Sequence, residues 1–445
     1  MSVSIDNEAF NNELYDVIGI GFGPANIALA IAMEESQFNG RCLFLERNTK
    51  TQWQPQMLLS GSDIQNNPGR DLVTPRNPRS RYTFINFLFE HNRLFEHLNL
   101  GLEFPLRREF AEYVQWVAHF FSHQVAYGRS VKKLTLITHN NEKYYRVETD
   151  NNAVYFARSV VVAPGRTPMI PTVFEKAHPW RIFHLTRYLT SLQQLNEKKP
   201  LTRIAVVGGS QSAVEIILHL RQNYPDAEII NVQRGYGFRL KDTSPFSDHV
   251  YFPEFVDYYF NASESGKKRL NQHLHFTNYS AADKDVIHQL YVGMYEDKLQ
   301  GKTPVKIWSC QEIVHYSEDE NHCQLQIREV NTGEENTLEN IDGIVLATGF
   351  RNFGNGENDE LCPPLLTDLY PLLAKNNDGG FLKLERDYSL TSASAHEQLP
   401  PLFLNGLCES SHGYGDAGSF SLLSLRSQEI LQSLEQQLSK NAALA

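Results

Sequence analysis

Short apolar runs along the chain end in turns of small residues, and apolar positions at helical spacing follow them. The first run, residues 15–18, predicts a buried strand, and residues 25–33 predict a helix. Gly19, Gly21 and Gly23 stand between them. We expect these glycines to form a tight turn against which a phosphate can lie, because a Cβ atom would block the approach of the backbone.

A second predicted strand, residues 42–45, follows this helix and ends in Glu46. In dinucleotide-binding folds an acid about 20 residues after the glycines accepts hydrogen bonds from a ribose. The helix N-terminus supplies N–H donors and the positive end of a dipole to the pyrophosphate. The strand, the turn, the helix and the acid together predict a dinucleotide-binding domain.

A similar order of elements returns in the middle of the chain. Residues 204–207 predict a strand, and residues 210–220 predict a helix. Gly208 and Gly209 begin the turn, and Ser210 takes the place of the usual second glycine. Its small side chain leaves room for a phosphate, and its hydroxyl can reach one. We therefore expect a second dinucleotide site here.

The next predicted strand, residues 228–232, is followed by Gln233 and Arg234 instead of an acid. An arginine at this point suits the 2′-phosphate of NADPH, whereas an acid would favour NADH. A solvated surface arginine is the alternative interpretation of Arg234.

Two more apolar runs, residues 160–165 and 344–350, end in small-residue turns, as do strands that pass between two nucleotide domains. The layout that follows is discontinuous. We expect an α/β fold with two Rossmann-like domains, for FAD and NADPH, and a small, mainly helical substrate subdomain. The expected bounds are 1–195 and 344–445 for the FAD domain, 196–242 and 301–343 for the NADPH domain, and 243–300 for the helical insertion.

Composition and charge narrow the class of protein. The chain has 445 residues, 41% hydrophobic and 21% charged, which is typical of a globular protein of two or three domains. The net charge of −11 argues against a nucleic-acid partner. An apolar run long enough to cross a membrane is missing, and the polar N-terminus does not resemble a signal peptide. Five scattered cysteines without a CxxC pair predict reduced thiols, no metal site and a cytoplasmic location.

Ten segments in order along nearly the whole chain carry a family resemblance. They are GIGFGPAN (19–26), WQPQML (53–58), DLVTPRNP (71–78), YTFINFL (82–88), RREF (107–110), GGSQSA (208–213), DTSPF (242–246), TNYS (277–280), ATGF (347–350) and SHGYGD (411–416). With them the chain resembles the microbial flavin-dependent N-hydroxylating monooxygenases, the ornithine and lysine N-hydroxylases of hydroxamate siderophore synthesis.

The resemblance implies contacts to both cofactors. Those to FAD would come from Gly19, Gly21, Gly23, Pro24, Glu46, Trp53, Gln54, Gln65, Val131, Gly418, Ser419 and Phe420. Those to NADPH would come from Gly208, Gly209, Ser210, Gln211, Ser212, Arg234 and Asn278. Plain packing is the alternative explanation for Gln65 and Val131.

The chemistry that the resemblance implies needs no acid or base from the protein. NADPH reduces FAD, the flavin captures O₂ as a C4a-hydroperoxide, and a small-molecule primary amine takes its distal oxygen. An alkyl ammonium has a pKa of about 10.4, so the site must favour the neutral amine by excluding water. The resemblance also implies a homo-oligomer, a tetramer in that family.

The expected substrate contacts depart from the family's pattern. Arg70 stands where the family has a lysine that binds the substrate carboxylate, and Asp248 stands where it has an asparagine near the α-amino group. Asn278 and Ser421 match two further contacts. A cation at Arg70 and an anion at Asp248 together favour an amino acid over a simple diamine, which has no carboxylate. A shorter acidic or phosphonate-bearing amine and a diamine remain the alternatives.

Two other classes of protein compete with this interpretation. One is a different two-nucleotide flavoprotein, which would oxygenate a ketone or a soft heteroatom or act only as a reductase. The other is a regulatory nucleotide-binding protein that has lost catalysis, as the departures at Ser210, Gln54 and Arg70 would allow. Gln54 replaces a usual histidine. A yellow protein that NADPH bleaches without oxygen would exclude the regulatory protein.

Overall fold

The computed structural model describes residues 7–354, 356–376, 380–416 and 418–444, so residues 1–6 of the N-terminal segment lie outside it. The α-helices are α1 (Asn7–Asn12), α2 (Pro24–Glu35), α3 (Phe84–Glu90), α4 (Leu94–Leu100), α5 (Arg107–Phe120), α6 (Tyr188–Lys198), α7 (Gln211–Asn223), α8 (Pro253–Phe260), α9 (Glu264–Leu274), α10 (Lys284–Leu299), α11 (Glu409–His412) and α12 (Leu423–Leu444).

The strands form two parallel and two mainly antiparallel sheets. They are β1 (Leu14–Tyr15), β2 (Val17–Ile20), β3 (Cys42–Glu46), β4 (Val125–Tyr127), β5 (Val131–His139), β6 (Glu142–Thr149), β7 (Val154–Ala157), β8 (Val160–Val162), β9 (Ile182–His184), β10 (Arg203–Val207), β11 (Glu228–Val232), β12 (Val305–Trp308), β13 (Gln311–Glu318), β14 (Cys323–Glu329), β15 (Glu335–Ile341), β16 (Gly343–Leu346) and β17 (Leu402–Leu404).

The first parallel sheet has the strand order β17-β8-β2-β3-β4. Its central strands β2 and β8 are buried along their whole length and apolar, as is typical of parallel sheets that are covered on both faces. Helix α2 is buried along most of its length and packs on α12, so the C-terminal helix closes this half of the molecule. The predicted strand and helix around the first glycine turn are therefore confirmed.

The second parallel sheet has the order β12-β11-β10-β16-β9. Its centre repeats the arrangement of the first sheet: β10, the glycine turn and α7 correspond to β2, its turn and α2. Strands β9 and β16 pair with each other and belong to this sheet. The second sheet therefore extends beyond both expected bounds of the NADPH domain. It includes β9, which lies before residue 195, and β16, which continues past residue 344.

The remaining elements extend these two halves. Strands β1, β7, β6 and β5 form one small sheet, and β13, β14 and β15 form an antiparallel one. The segment between β11 and β12 contains α8, α9 and α10, as expected for a mainly helical insertion. The fold class is confirmed as α/β. Within the described ranges, no helix is long and apolar enough to cross a membrane.

Candidate functional site

The first glycine turn joins β2 to α2, and its three glycines have different surroundings. Gly19 lies within β2, where a Cβ would meet the ring of Phe44 at 2.3 Å. It therefore serves strand packing and is not part of the turn, contrary to the expectation. Gly21 has φ +86°, and its Cβ would meet the carbonyl oxygen of Ala163 at 2.3 Å. The fold itself thus requires glycine at both positions.

Gly23 is the glycine that leaves a cradle open. No described heavy atom lies within 4 Å of an ideal Cβ at this position, which caps the N-terminus of α2. Pro24 follows at the first helical position, where its missing N–H costs nothing. A helix N-terminus beside free space has the shape and polarity that a pyrophosphate needs.

Glu46 lies at the end of β3 beside this turn, as expected. Its Oε2 accepts a hydrogen bond from the backbone N–H of Phe22 at 2.8 Å. Its Oε1 accepts from the backbone N–H and the side-chain amide of Asn48, at 2.9 and 2.6 Å. The carboxylate is thus held at the carboxyl end of the sheet, where ribose hydroxyls could exchange with these donors.

An aromatic cluster joins two segments that were assigned to FAD. The Trp53 ring meets Phe420 edge-on at 5.2 Å, and Phe110 meets both rings at 5.7 and 5.0 Å. Ser419 Oγ accepts from the backbone N–H of Ser421 at 3.1 Å. The structure therefore brings residues 53 and 419–421 together, although they are distant in sequence.

The other residues assigned to FAD are spread more widely. Gln54 is exposed and has φ +45° at the start of a 3₁₀ turn, Pro55–Met57. Val131 begins β5 and packs against the first core. Gly418 lies against Arg166, whose Cδ would be 3.5 Å from a Cβ at this glycine. Val131 therefore has the packing environment that the alternative interpretation required.

Asp283, which the sequence motifs did not indicate, connects residues from the two candidate cofactor sites. Its Oδ2 accepts from the side-chain amide of Gln65, and its backbone N–H donates to Oε1 of Gln211 at 2.8 Å. Lys241 Nζ lies 3.8 Å from its Oδ1. Burial raises the pKa of the Asp283 carboxyl, while Lys241 acts to lower it. The position of Asp283 just after the TNYS segment was the available signal.

The second glycine turn repeats the contacts of the first. Gly208 donates to the carbonyl of Val232 at 3.0 Å, as Gly21 does to Leu45 at 2.8 Å. A Cβ on Gly208 would meet the carbonyl oxygen of Ala347 at 2.4 Å. Ser210 caps α7 as Gly23 caps α2.

The neighbouring candidates for NADPH surround this turn. Gly209 faces the side chain of Gln233, and Ser212 lies in the first turn of α7. Arg234 is exposed just beyond β11. An exposed guanidinium beside the end of β11 is accessible to a phosphate.

The expected substrate residue Arg70 lies beside Tyr251, which shares a 3₁₀ turn (Ser247–Tyr251) with Asp248. The Arg70 guanidinium carbon is 5.7 Å from the centre of the Tyr251 ring. Burial raises the pKa of the Asp248 carboxyl, and Lys241 and Arg70 act in the opposite direction. The Tyr251 hydroxyl donates to the carbonyl of Thr277 at 3.2 Å, next to the exposed Asn278.

Ser421 has different neighbours. It is buried and accepts a hydrogen bond from the Ser419 hydroxyl at 2.9 Å. The described contacts therefore connect it with Ser419, an expected FAD residue, rather than with Arg70. Its assignment to the substrate stays a prediction.

A buried polar group behind this site was not foreseen. Tyr279 donates to the carboxylate of Glu409, and Arg166 donates to the Tyr279 hydroxyl at 3.3 Å. Burial raises the pKa of Glu409, while Arg166 and Tyr279 act to lower it. Tyr279 lies in the TNYS segment and Glu409 just before SHGYGD, so the two motifs meet here.

The RREF segment also has a role that the sequence did not indicate. Arg107 at the start of α5 donates to Glu215 of α7 through Nη1 and Nη2, at 2.8 and 2.9 Å. Nη1 also donates to the carbonyl of Met57 at 3.0 Å. Both charged side chains are less than a tenth exposed. This ion pair thus links α5 to α7, the helix that follows the second glycine turn.

Comparisons with known proteins agree with this architecture. The model of the L-lysine 6-monooxygenase/L-ornithine 5-monooxygenase family matches residues 13–352. The L-ornithine N(5)-monooxygenase of Pseudomonas aeruginosa is 34% identical, with 97% of this chain and 96% of the relative covered. That of Ajellomyces capsulatus is 32% identical, with 94% and 90% covered.

Solved structures give the same result. The ornithine N-hydroxylase of Kutzneria sp. 744, determined with reduced FAD, NADP⁺ and L-ornithine, has a TM-score of 0.87 at 30% identity and covers 95% of this chain and 99% of its own. The ornithine hydroxylase of P. aeruginosa has a TM-score of 0.86 at 31% identity, with 96% and 100% covered. The expected enzyme class and cofactor pair are confirmed. The chain belongs to the L-lysine 6-monooxygenase/L-ornithine 5-monooxygenase family.

Proposed function

We propose that this enzyme hydroxylates the side-chain amine of an amino acid of the ornithine or lysine type. The observation that supports the proposal is the position of Arg70 beside Tyr251, which shares a 3₁₀ turn (Ser247–Tyr251) with Asp248, so that a cation and an anion are neighbours. A free amino acid carries an α-carboxylate and an α-ammonium that such a pair can bind together. A simple diamine has no carboxylate for Arg70 to bind.

The FAD pyrophosphate would lie over the N-terminus of α2, where Gly23 leaves space, and Glu46 would bind the adenosine ribose. Trp53 and Ser419–Phe420 would line the flavin. When bound and reduced by NADPH, FAD supplies the activation of O₂ that delivers one oxygen atom to the amine nitrogen and releases the other as water. The aromatic cluster at Trp53 would keep water away from this end.

NADPH would lie over the N-terminus of α7, with Ser210 and Ser212 near the phosphates and Arg234 on the 2′-phosphate. Asn278 would contact both NADPH and the substrate. The Gln65 and Gln211 contacts of Asp283 support this arrangement, because they bring candidate residues of the two cofactor sites to one residue.

Within the substrate site, Arg70 would hold the carboxylate by a two-pronged hydrogen bond, and Asp248 would hold the α-ammonium. The side-chain amine must arrive without its proton. Desolvation favours the neutral amine, and the pKa of the half-buried Tyr251 hydroxyl is raised chiefly by the same loss of water. Ser421 is proposed for the carboxylate end.

A second candidate substrate is a shorter amine with additional negative charge, such as an aminophosphonate. Lys241 supports it, because Lys241, like Arg70, acts to lower the pKa of Asp248 and adds a second positive charge near this carboxyl. Two cations would then face the acidic group of the substrate, and Asp248 would be left partly neutralised.

The deciding experiment measures hydroxylamine formed per NADPH consumed for ornithine, lysine, putrescine and 3-aminopropylphosphonate. We expect ornithine or lysine to give the highest ratio. Arg70→Ala should leave anaerobic flavin reduction nearly unchanged, while product falls and H₂O₂ rises. The control is Arg79→Ala, since Arg79 is exposed on the same loop. Efficient hydroxylation of putrescine alone would exclude the role proposed for Arg70.

We also propose that the enzyme assembles as a homo-oligomer, a tetramer if it follows the resemblance, and acts in the cytoplasm. Exposed hydrophobic side chains of α3, α4 and the loop after them support contact between copies; they include Phe89, Phe95, Leu98 and Leu100, which are 61–85% exposed. Light scattering after size-exclusion chromatography tests the mass. A monomer at micromolar concentration would contradict the assembly.

A further inference from the structure

A buried polar network runs from the first glycine turn to the C-terminal SHGYGD segment. Asn26 begins it: its side-chain amide donates to the carbonyl of Gly21 at 2.7 Å. Counting Gly21 and Gly23 as the first two glycines of the dinucleotide motif, Asn26 occupies the place of the third. That glycine normally allows close packing of helix on strand, so an asparagine here needs partners for its polar atoms.

The partners of Asn26 come from the far end of the chain. Asn405, just after β17, donates to Oδ1 of Asn26 at 3.1 Å and to the carbonyl of Ala25 at 3.0 Å. Its own Oδ1 accepts from Nε of Arg426 at 3.0 Å. Asn26, Asn405 and Arg426 are at most 2% exposed. Water therefore cannot replace any of these hydrogen bonds.

An ion pair continues the network. Arg426 Nη1 lies 2.5 Å from Asp416 Oδ1, and neither side chain is more than 2% exposed. Asp416 Oδ2 accepts from the Tyr388 hydroxyl at 2.8 Å. Tyr388 stacks on His412 with ring centres 4.1 Å apart. The ion pair also joins two residues that flank Gly418–Ser421 in the sequence, Asp416 before them and Arg426 after them.

We propose that this network positions the glycine turn and the flavin-facing segment 418–421 as one unit for FAD. The inference rests on the proposed placement of FAD, but not on the identity of the amine. FAD would touch both ends, the pyrophosphate at the turn and the flavin ring at Phe420. Because the bonds between them are buried and include a charge pair, a change at one end shifts the other. The residues act through the turn and the segment and are positioning residues.

The test compares two tyrosine-to-phenylalanine variants of the full-length protein. Tyr388→Phe removes the hydroxyl from Asp416 at the end of the network remote from Gly21. Tyr145→Phe is the matched control, because Tyr145 is equally buried in the same half of the molecule and donates one hydrogen bond, to Pro400 at 2.9 Å. Both variants lose one buried hydrogen bond and leave no large cavity.

FAD binding to the apoproteins is titrated by flavin fluorescence, and the melting temperature of each apoprotein is measured in parallel. We expect Tyr388→Phe to raise the Kd for FAD by about 3- to 10-fold and Asn26→Ala by roughly tenfold or more. Tyr145→Phe should lower the melting temperature similarly and leave the Kd unchanged. An unchanged Kd in Tyr388→Phe, or an equal rise in both tyrosine variants, would overturn the proposal. A parent protein that does not bind FAD would instead refute the proposed function.

Discussion

Arg107 and Glu215 form a two-pronged ion pair that joins the two nucleotide-binding halves of the enzyme. The two N–O distances are 2.8 and 2.9 Å, and the side chains are 8% and 5% exposed. Glu215 also accepts from the side chain of Gln211, the first residue of α7, at 3.0 Å. Because Arg107 also donates to the carbonyl of Met57, the pair connects Met57 with the start of the helix that follows the second glycine turn.

Replacing one partner should leave a buried charge without compensation. We expect Glu215→Gln to destabilise the protein by about 3 kcal/mol, as for other broken buried ion pairs. Urea denaturation followed by tryptophan fluorescence measures it. The control is Glu228→Gln, because Glu228 is 29% exposed where it meets Arg203 and Lys306, and its loss should cost less than about 1 kcal/mol. Equal effects would show that burial does not strengthen the Arg107 pair.

Substitution of Gly21 should impair folding, whereas substitution of Gly23 should impair FAD binding. Gly23→Ala should fold normally but retain little FAD, since its Cβ enters the open cradle. Gly21→Ala should not fold well, because the Cβ would lie 2.3 Å from the carbonyl oxygen of Ala163 and φ is +86°. Circular dichroism and the ratio of flavin to protein absorbance separate the outcomes. Full flavin content in Gly23→Ala would disprove the proposed pyrophosphate site.

Arg234 should set the preference for NADPH. A charged hydrogen bond to the 2′-phosphate is worth about 1.5–3 kcal/mol, so Arg234→Ala should lower kcat/KM for NADPH by about 10- to 150-fold and leave NADH unaffected. Arg239→Ala is the control, because the Arg239 guanidinium stacks 3.5 Å from the centre of the Phe276 ring. A parent enzyme that uses both cofactors equally would contradict this role.

Asp63 should make stability depend on pH. Burial raises the pKa of this carboxyl to about 6, and Asp283 and Glu215 add to the shift, while the N–H of Gln65 opposes it. The folded state then binds more protons than the unfolded state between about pH 4 and 6, so stability falls as pH rises through this window.

Asp63→Asn should therefore stabilise the enzyme at pH 7 by about 1–2 kcal/mol, allowing for partial solvent screening, and the gain should vanish near pH 4. Urea midpoints from pH 4 to 8 measure it. Asp226→Asn, at an exposed position, should show no such trend. A gain that persists at pH 4 would mean that Asp63 is not the titrating group.

The sequence predicts correctly the strands that form a short apolar run next to a glycine turn or an adjoining helix. Strands β2, β3, β10 and β11 lie within about two residues of the predicted runs. Short runs of β-branched and other apolar residues beside a turn have few conformations other than a buried strand. The prediction that Gly19 belongs to the turn was wrong. Only the packing of Phe44 against Gly19 distinguishes this strand glycine from a turn glycine.

Contacts between distant segments could not be predicted. Asp283 meets Gln65 across 218 positions, and Arg107 meets Glu215 across 108. Each of these residues, taken alone, looks like an ordinary polar side chain. Likewise β9 and β16 are short apolar strands, and only their pairing assigns them to the second sheet.

Gly21 against Ala163 and Gly208 against Ala347 are the same contact made twice in one polypeptide. In each unit the alanine directly follows the strand that returns beside the turn, β8 in the first and β16 in the second. Both nucleotide units thus exclude any side chain larger than hydrogen at the same place, where the returning strand passes the turn. The helix-capping position beside it is free of that exclusion, and it is glycine (Gly23) in one unit and serine (Ser210) in the other.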